Sequence, residues 1–251
     1  PLVTAERNPA IVRYFKKVCQ QNQSPFYQVD DYLTATPIKP SLNSQIFSVK
    51  QIKLLTTTDN RLRSADYTIP LLGRHQLDNA RMALLALFLV RVTQNPLCPP
   101  YQGDFSQSFN VIKQGFSRTR WLGRLQIYSR HPFVMLDGAH NPAVAAALAR
   151  ALDEYLFPPP DTLLIGLKKD KNAAIFLKEI VPRFRRVIAT EASYQPMPAA
   201  QLAAQIKPYL NHGSTVEANT DLSAALANAQ QYLKPKGMLL ITGSLYLVGD
   251  I

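Results

Sequence analysis

Residues 133–149 decide the fold: Phe133-Val134-Met135-Leu136-Asp137-Gly138-Ala139-His140-Asn141-Pro142-Ala143-Val144-Ala145-Ala146-Ala147-Leu148-Ala149. An apolar run leads into a carboxylate, an imidazole and a carboxamide, and an alanine-rich run follows the proline. That order reads as strand, tight loop, helix. Asn141 can cap the helix by accepting from its free N–H groups, and Pro142 suits the first helical position. Polar groups at the carboxyl end of a strand are where an α/β domain places a ligand. Asp137 could accept from a ribose diol or hold a metal, and His140 could donate to a phosphate or a carboxylate. The plainer alternative has Asp137 and Asn141 satisfying turn and cap, with His140 solvated.

Working outward, apolar runs at 124–128, 133–136, 162–166, 186–190, 214–217 and 238–242 read as strands. Helical spacing appears near 142–156, 171–181, 198–209 and 221–233. After the first hairpin-like pair, strand and helix alternate. Such crossovers give an α/β domain with a Rossmann-like, mostly parallel sheet and helices on both faces. Residues 118–251 are expected to form this domain, and residues 1–117 another. In the first part, 9–22 and 77–93 read as helices, 33–43 as a proline-containing loop, and 104–114 as a short helix. Strands at 45–49, 51–55 and 64–70, around a polar turn at 56–60, suggest a small antiparallel sheet. Prolines break the chain at 94–103, and 115–123 reads as a linker.

The 251 residues carry a net charge of +11. Residues 1–117 hold 13 basic and 7 acidic side chains, and 118–251 hold 15 and 10, so the excess is spread out. No basic stripe with interleaved aromatics is present, which argues against nucleic acid as a partner. No apolar run is long enough to span a bilayer, and no secretory leader is evident. Cys19 and Cys98 match no metal or redox spacing and read as unpaired thiols in a reducing compartment. No Gly is followed by Lys, so there is no phosphate-binding P-loop, and no Gly-x-Gly-x-x-Gly fingerprint occurs.

Other polar stretches flank the decisive one. In Gly73-Arg74-His75-Gln76-Leu77-Asp78-Asn79 the carboxamides suit a purine edge, since an amide both donates and accepts. A polar cap over a core helix is the alternative. In Trp121-Leu122-Gly123-Arg124-Leu125, Arg124 could swing onto a phosphate, or be a surface arginine. Gly166-Leu167-Lys168-Lys169-Asp170-Lys171-Asn172 could be a solvated basic turn. Ser244, in Gly243-Ser244-Leu245-Tyr246, sits at a strand end, near the site or in a simple turn.

Taken in order, Leu72–Ala80, Trp121–Leu125, Asp137–Pro142, Gly166–Lys171 and Thr242–Gly249 resemble the C-terminal part of the bifunctional dihydrofolate synthase/folylpolyglutamate synthases. These belong to the Mur ligase superfamily of ATP-dependent amide ligases. The resemblance implies that 1–117 is the C-terminal portion of a P-loop-type α/β central domain, and 118–251 the C-terminal Rossmann-like domain. It implies ATP and Mg2+ as cofactors, with the P-loop and metal ligands upstream of Pro1, and a fragment inactive alone. It places Asn79 on adenine, Arg124 on the terminal phosphates and Asp137 on the ribose. His140 and Ser244 would place glutamate or the phosphates, with Arg124 and His140 catalytic. L-glutamate and dihydropteroate or folate would be the other substrates of a cytoplasmic enzyme, monomeric when full length. A UDP-muramyl amino-acid ligase and a non-catalytic nucleotide- or folate-binding module are the rivals.

Overall fold

A computed structural model describes residues 1–51, 64–92, 105–155, 157–169 and 173–251. The expected strand at 51–55 beyond Gln51, the turn at 56–60, the break at 94–103, Cys98 and Asp170-Lys171-Asn172 lie outside the described residues. The chain divides into two compact units, one of residues 1–70 and 74–119, the other of 71–73 and 120–251.

In the first unit, β1 (Leu2–Thr4) leads to α1 (Pro9–Gln21), and β2 (Phe26–Gln28) returns parallel to β1. Then come β3 (Leu33–Pro40), β4 (Gln45–Gln51) and β5 (Ser64–Ile69), an antiparallel sheet in that order. The loop expected at 33–43 is therefore wrong over most of its length. Its prolines are tolerated because β3 is an edge strand whose register slips between Pro37 and Lys39. Along β4 burial alternates, with Gln45, Phe47 and Val49 inward, as a two-residue period requires.

Two longer helices follow, α2 (His75–Val92) and α3 (Phe105–Arg118). α2 buries Leu77, Ala80, Leu84, Leu85, Phe88 and Leu89, the broad stripe expected of a helix against a core. α3 runs through part of the expected linker. Its Phe116 explains why: the ring meets Phe47 and Tyr67 edge-on, with centroids 6.5 and 5.4 Å away. This packing extends the helix past Gly115 despite glycine's poor helical propensity. A charge cluster ties the unit's loops together. Arg7 pairs with Asp30 and Asp78, and the almost fully buried Arg81 pairs with the same two carboxylates. Burial pushes the Asp30 carboxyl up, but hydrogen bonds from Arg7 and Arg81 outweigh that and hold it below its ordinary value.

The second unit contains β6 (Gln126–Arg130), β7 (Phe133–Asp137), α4 (Pro142–Glu154), β8 (Pro160–Ile165), α5 (Ala173–Ile180) and β9 (Arg186–Ala189). It continues with α6 (Ala199–Ile206), β10 (Thr215–Ala218), α7 (Leu222–Gln231), β11 (Met238–Thr242) and α8 (Leu245–Gly249). The six strands lie in the order β10-β9-β8-β11-β7-β6, and only β6 is antiparallel to its neighbour. Every residue of β7 and β11 is buried, as in a parallel sheet covered on both faces. Val134, Leu136, Leu164, Ile188, Leu239 and Ile241 pack on one face with Ala225 and Ala229 of α7 and Leu247 of α8. Alternate residues such as Met135, Leu163 and Leu240 point the other way, where α4, α5 and α6 pack in a row. No helix among the described residues is long and apolar enough to cross a membrane.

The topology positions a site. The chain steps from β7 over β11 to β8, β9 and β10, then returns to β11. The helix after β11 therefore lies on the opposite face from those after β7 and β8. A crevice at the carboxyl ends of such strands is the general ligand position in open α/β sheets.

Candidate functional site

Three neighbouring strands end on this rim: β7 at Asp137-Gly138, β11 at Thr242-Gly243-Ser244 and β8 at Ile165-Gly166. Each end carries a glycine, and that of β11 is forced. Gly243 has φ +110°, and a Cβ on it would lie 2.6 Å from the Gly166 carbonyl oxygen. A Cβ on Gly138 would lie 2.2 Å from Leu245 Cδ2 and 3.1 Å from Arg124 Nη1. At Gly243 backbone thus approaches backbone, while at Gly138 the space is filled by side-chain ends, those of Leu245 and the Arg124 guanidinium.

Two loops are clasped to build it. Asp137 Oδ2 accepts from Leu125 N–H at 2.8 Å, and its Oδ1 accepts from Ala139 N–H at 2.8 Å. Gly138 N–H donates to the Gly123 carbonyl at 2.8 Å, and Gly123 N–H to Gln126 Oε1 at 2.8 Å. These bonds hold Leu125 at φ +43°, a left-handed conformation that a branched side chain adopts only when its surroundings impose it. Arg124 sits between Gly123 and Leu125, so the clasp aims it. Among the described residues it pairs with no carboxylate, and its one weak bond, 3.5 Å, goes to the Gly123 carbonyl.

Asp137 is 4% exposed, and burial pushes its carboxyl above the ordinary value. The two backbone N–H groups, then the charges of Arg124 and His140, pull the other way. Each oxygen keeps one lone pair beyond its backbone bond. His140 Nδ1 lies 2.9 Å from the Gly138 carbonyl, which can only accept, so Nδ1 carries the proton. In the neutral ring Nε2 is then an acceptor. Asn141 Oδ1 accepts from Val144 N–H at 3.1 Å with Pro142 opening α4, the cap the sequence suggests. Ser244, 3% exposed, caps α8 by accepting from Tyr246 N–H at 3.1 Å.

The structure therefore gathers Arg124, Asp137 and His140 through direct contacts to one loop pair, and puts Ser244 on the adjoining strand end. Asn79 belongs to the first unit, exposed on the first turn of α2, where its Nδ2 donates to Gln76 Oε1 at 3.0 Å. Gly138, Gln126 and Leu245 escape motif reasoning, since their roles depend on loops distant in sequence; only the bare glycine after Asp137 hints at close approach. A second cluster joins Lys168 and Tyr194, on the loops after β8 and β9, to Tyr246 of α8. Lys168 Nζ stands 5.0 Å from the Tyr194 ring centroid and 5.8 Å from that of Tyr246, and the two rings are 4.5 Å apart. Among the described residues no three His, Cys, Asp or Glu side chains gather as a metal site needs.

Comparison with known proteins gives a consistent picture. Residues 123–245 match the family described as Mur ligase, glutamate ligase domain. The folylpolyglutamate synthase of Lacticaseibacillus casei is 30% identical over 214 residues, covering 82% of this chain and 45% of that protein. The dihydrofolate synthase/folylpolyglutamate synthase of Bacillus subtilis is 23% identical over 255 residues, covering 100% and 54%. Among solved structures, the folylpolyglutamate synthase of Thermotoga maritima superposes with a TM-score of 0.70 at 27% identity, over 99% of this chain and 52% of that one. The Mycobacterium tuberculosis folylpolyglutamate synthase complexed with ADP reaches 0.81 at 21% identity, over 99% and 53%, which speaks to the fold alone. The chain spans about half the length of these relatives.

Proposed function

We propose, from the premise that the chain belongs to the Mur ligase family through its glutamate ligase domain at 123–245, that it serves an ATP-dependent folate–glutamate ligase. The carrying observation is the clasp of Gly123–Leu125 onto Asp137–His140, which leaves a cation without a carboxylate partner on the rim of the sheet. The first unit is read as the C-terminal portion of the ATP-binding central domain, residues 1–117, and the second as the Mur-ligase C-terminal domain, 118–251.

In this reading a carboxylate of dihydropteroate, or the terminal carboxylate of a folate glutamate chain, attacks the γ-phosphorus of ATP and ADP leaves. The amine of L-glutamate then attacks the acyl carbon, phosphate leaves with its electron pair, and one proton is shed. Arg124 binds two phosphate oxygens at once and keeps its charge throughout. His140 Nε2 accepts a hydrogen from the glutamate amine. Asp137 uses its remaining lone pairs toward the ribose while its backbone bonds hold the loops. Asn79 meets the adenine, and Ser244 lies beside the incoming glutamate. Orientation and charge stabilisation supply most of the catalysis in such phosphoryl transfers.

The test is glutamate-dependent ADP release by the full-length polypeptide, with dihydropteroate, a folate or a UDP-muramyl peptide as acceptor. Turnover with either folate-type acceptor supports the reading. Turnover with the muramyl acceptor alone favours a cell-wall ligase, and none with any acceptor leaves a binding module. Arg124→Ala should lower turnover by orders of magnitude with little change in stability. Near-normal turnover would sink the role given to Arg124.

A further inference from the structure

The helix that begins at Ser244 is held largely from outside. α8 spans five residues, far below the length at which a helix is stable alone. Of these only Leu247 is buried, and one core side chain does not fix where both ends of a helix point. Toward Gly123 the helix presents Leu245 and Val248. Another side is held by the loop after β9. Ser193 donates twice to Asp250, the C-cap of α8: its N–H to Oδ2 at 2.7 Å and its hydroxyl to Oδ1 at 2.8 Å. One turn back, the Tyr194 ring lies 4.5 Å from the Tyr246 ring, with Lys168 Nζ over both. The supporting loop is itself braced on the loop after β8. Lys169 N–H donates to the Gln195 carbonyl at 3.2 Å, and Met197 N–H to the Leu167 carbonyl at 2.8 Å. Gln195, within this brace, adopts a left-handed φ of +46°.

We propose that Ser193 and Tyr194 are positioning residues for glutamate. Acting through Asp250 and Tyr246, they set where α8 begins, and so where Ser244 stands on the rim. The inference rests on the reading of Ser244 as lying beside the incoming glutamate. Ser244 Oγ accepts from Tyr246 N–H at 3.1 Å, so a shift of the first turn carries the hydroxyl with it. Ser193, Tyr194, Tyr246 and Asp250 are all exposed, and polar contacts between exposed side chains add little to global stability. What these contacts supply is direction. The clasp that aims Arg124 is closed by its own bonds between the 123–126 and 137–139 loops, and Ser193 takes no part in it. Loosening α8 should therefore be felt by glutamate before it is felt by ATP.

The test is the KM for L-glutamate and for ATP in the full-length polypeptide and its variants. Ser193→Ala loses the hydroxyl bond and should raise the KM for glutamate about threefold, and Ser193→Ala with Tyr194→Ala about tenfold, below the roughly hundredfold that a misplacement of 1 Å can cost. The KM for ATP should stay within about twofold. Ser193→Thr keeps both donors and should behave as wild type. Asp250→Ala removes both bonds from the other side and replaces the double variant if that fails to fold. A raised KM for glutamate in Ser244→Ala, with none in the double variant or its replacement, overturns the positioning role and spares the reading of Ser244. KM values that rise alike for glutamate and ATP, or a Ser193→Thr variant as impaired as Ser193→Ala, overturn it as well. If Ser244→Ala leaves the KM for glutamate unchanged, the reading of Ser244 is overturned, and the positioning role with it.

Discussion

Replacing Gly138 by alanine separates shape from chemistry at the rim. The backbone there is not left-handed, so the substitution brings no φ strain. The added methyl would lie 2.2 Å from Leu245 Cδ2, 2.6 Å from Leu245 Cγ and 3.1 Å from Arg124 Nη1. Overpacking of this sort costs about 1–3 kcal/mol. The stiffer unfolded chain returns about 0.4–1 kcal/mol. Leu245 is 43% exposed and can swing outward, which favours the low end. The net expectation is a loss of about 1 kcal/mol in stability. The Arg124 guanidinium must give by a few tenths of an ångström. A misplacement of 1 Å can cost about a hundredfold in rate, so a loss of about fivefold is expected here. On the proposed ligase reading, the assay pairs urea denaturation with glutamate-dependent ADP release by the full-length polypeptide. Gly138→Ala combined with Leu245→Ala should recover most of the stability and little of the turnover. Wild-type turnover in Gly138→Ala, or full recovery in the double variant, would refute the argument that Gly138 is bare for the sake of Arg124.

The other expectations are independent. Gly243→Ala meets both a φ of +110° and the Gly166 carbonyl oxygen at 2.6 Å, so a loss of about 2–4 kcal/mol is expected by chemical denaturation. Asp137→Asn puts an NH2 against one of two backbone N–H donors and should cost about 1–3 kcal/mol at neutral pH, read by the urea midpoint. Burial raises the Asp137 carboxyl above 3.8, so its contribution is fullest below that pH and declines as pH rises through the folded-state value. The stability difference between wild type and Asp137→Asn, followed from pH 3 to 7 on that basis, should carry this slope. Asp30 is held below 3.8, so its contribution is present above that pH and is lost as pH falls through its folded-state value. Asp30→Ala leaves Arg81 with Asp78 alone and should cost about 2 kcal/mol at neutral pH, an effect that fades in acid.

The parallel sheet was legible because its strands are continuous apolar runs between helical spacings, and nothing else fits that alternation. The first unit was less so. β3 hides behind Pro37 and Pro40, which forbid a central strand but not an edge. β1 and β2, three residues each, are set by tertiary pairing rather than by pattern. α3 outran its local propensity because Phe116 finds an aromatic pocket. At the site, Asn141 and Pro142 read correctly as a cap because capping is local. The clasp did not, since no spacing reveals that Asp137 would reach Leu125, twelve residues back.

That clasp gives the molecule a built-in spectroscopic reporter. The Leu125 amide ends on the Asp137 carboxylate and the Gly138 amide on the Gly123 carbonyl, so parting the two loops exposes both protons together. Their exchange with solvent should therefore be correlated, with one protection factor shared between amides from two separate loops. A ligand that touches only the arginine loop would slow exchange at Gly138 as much as at Leu125, and occupancy of the rim could be followed from an amide the ligand never meets.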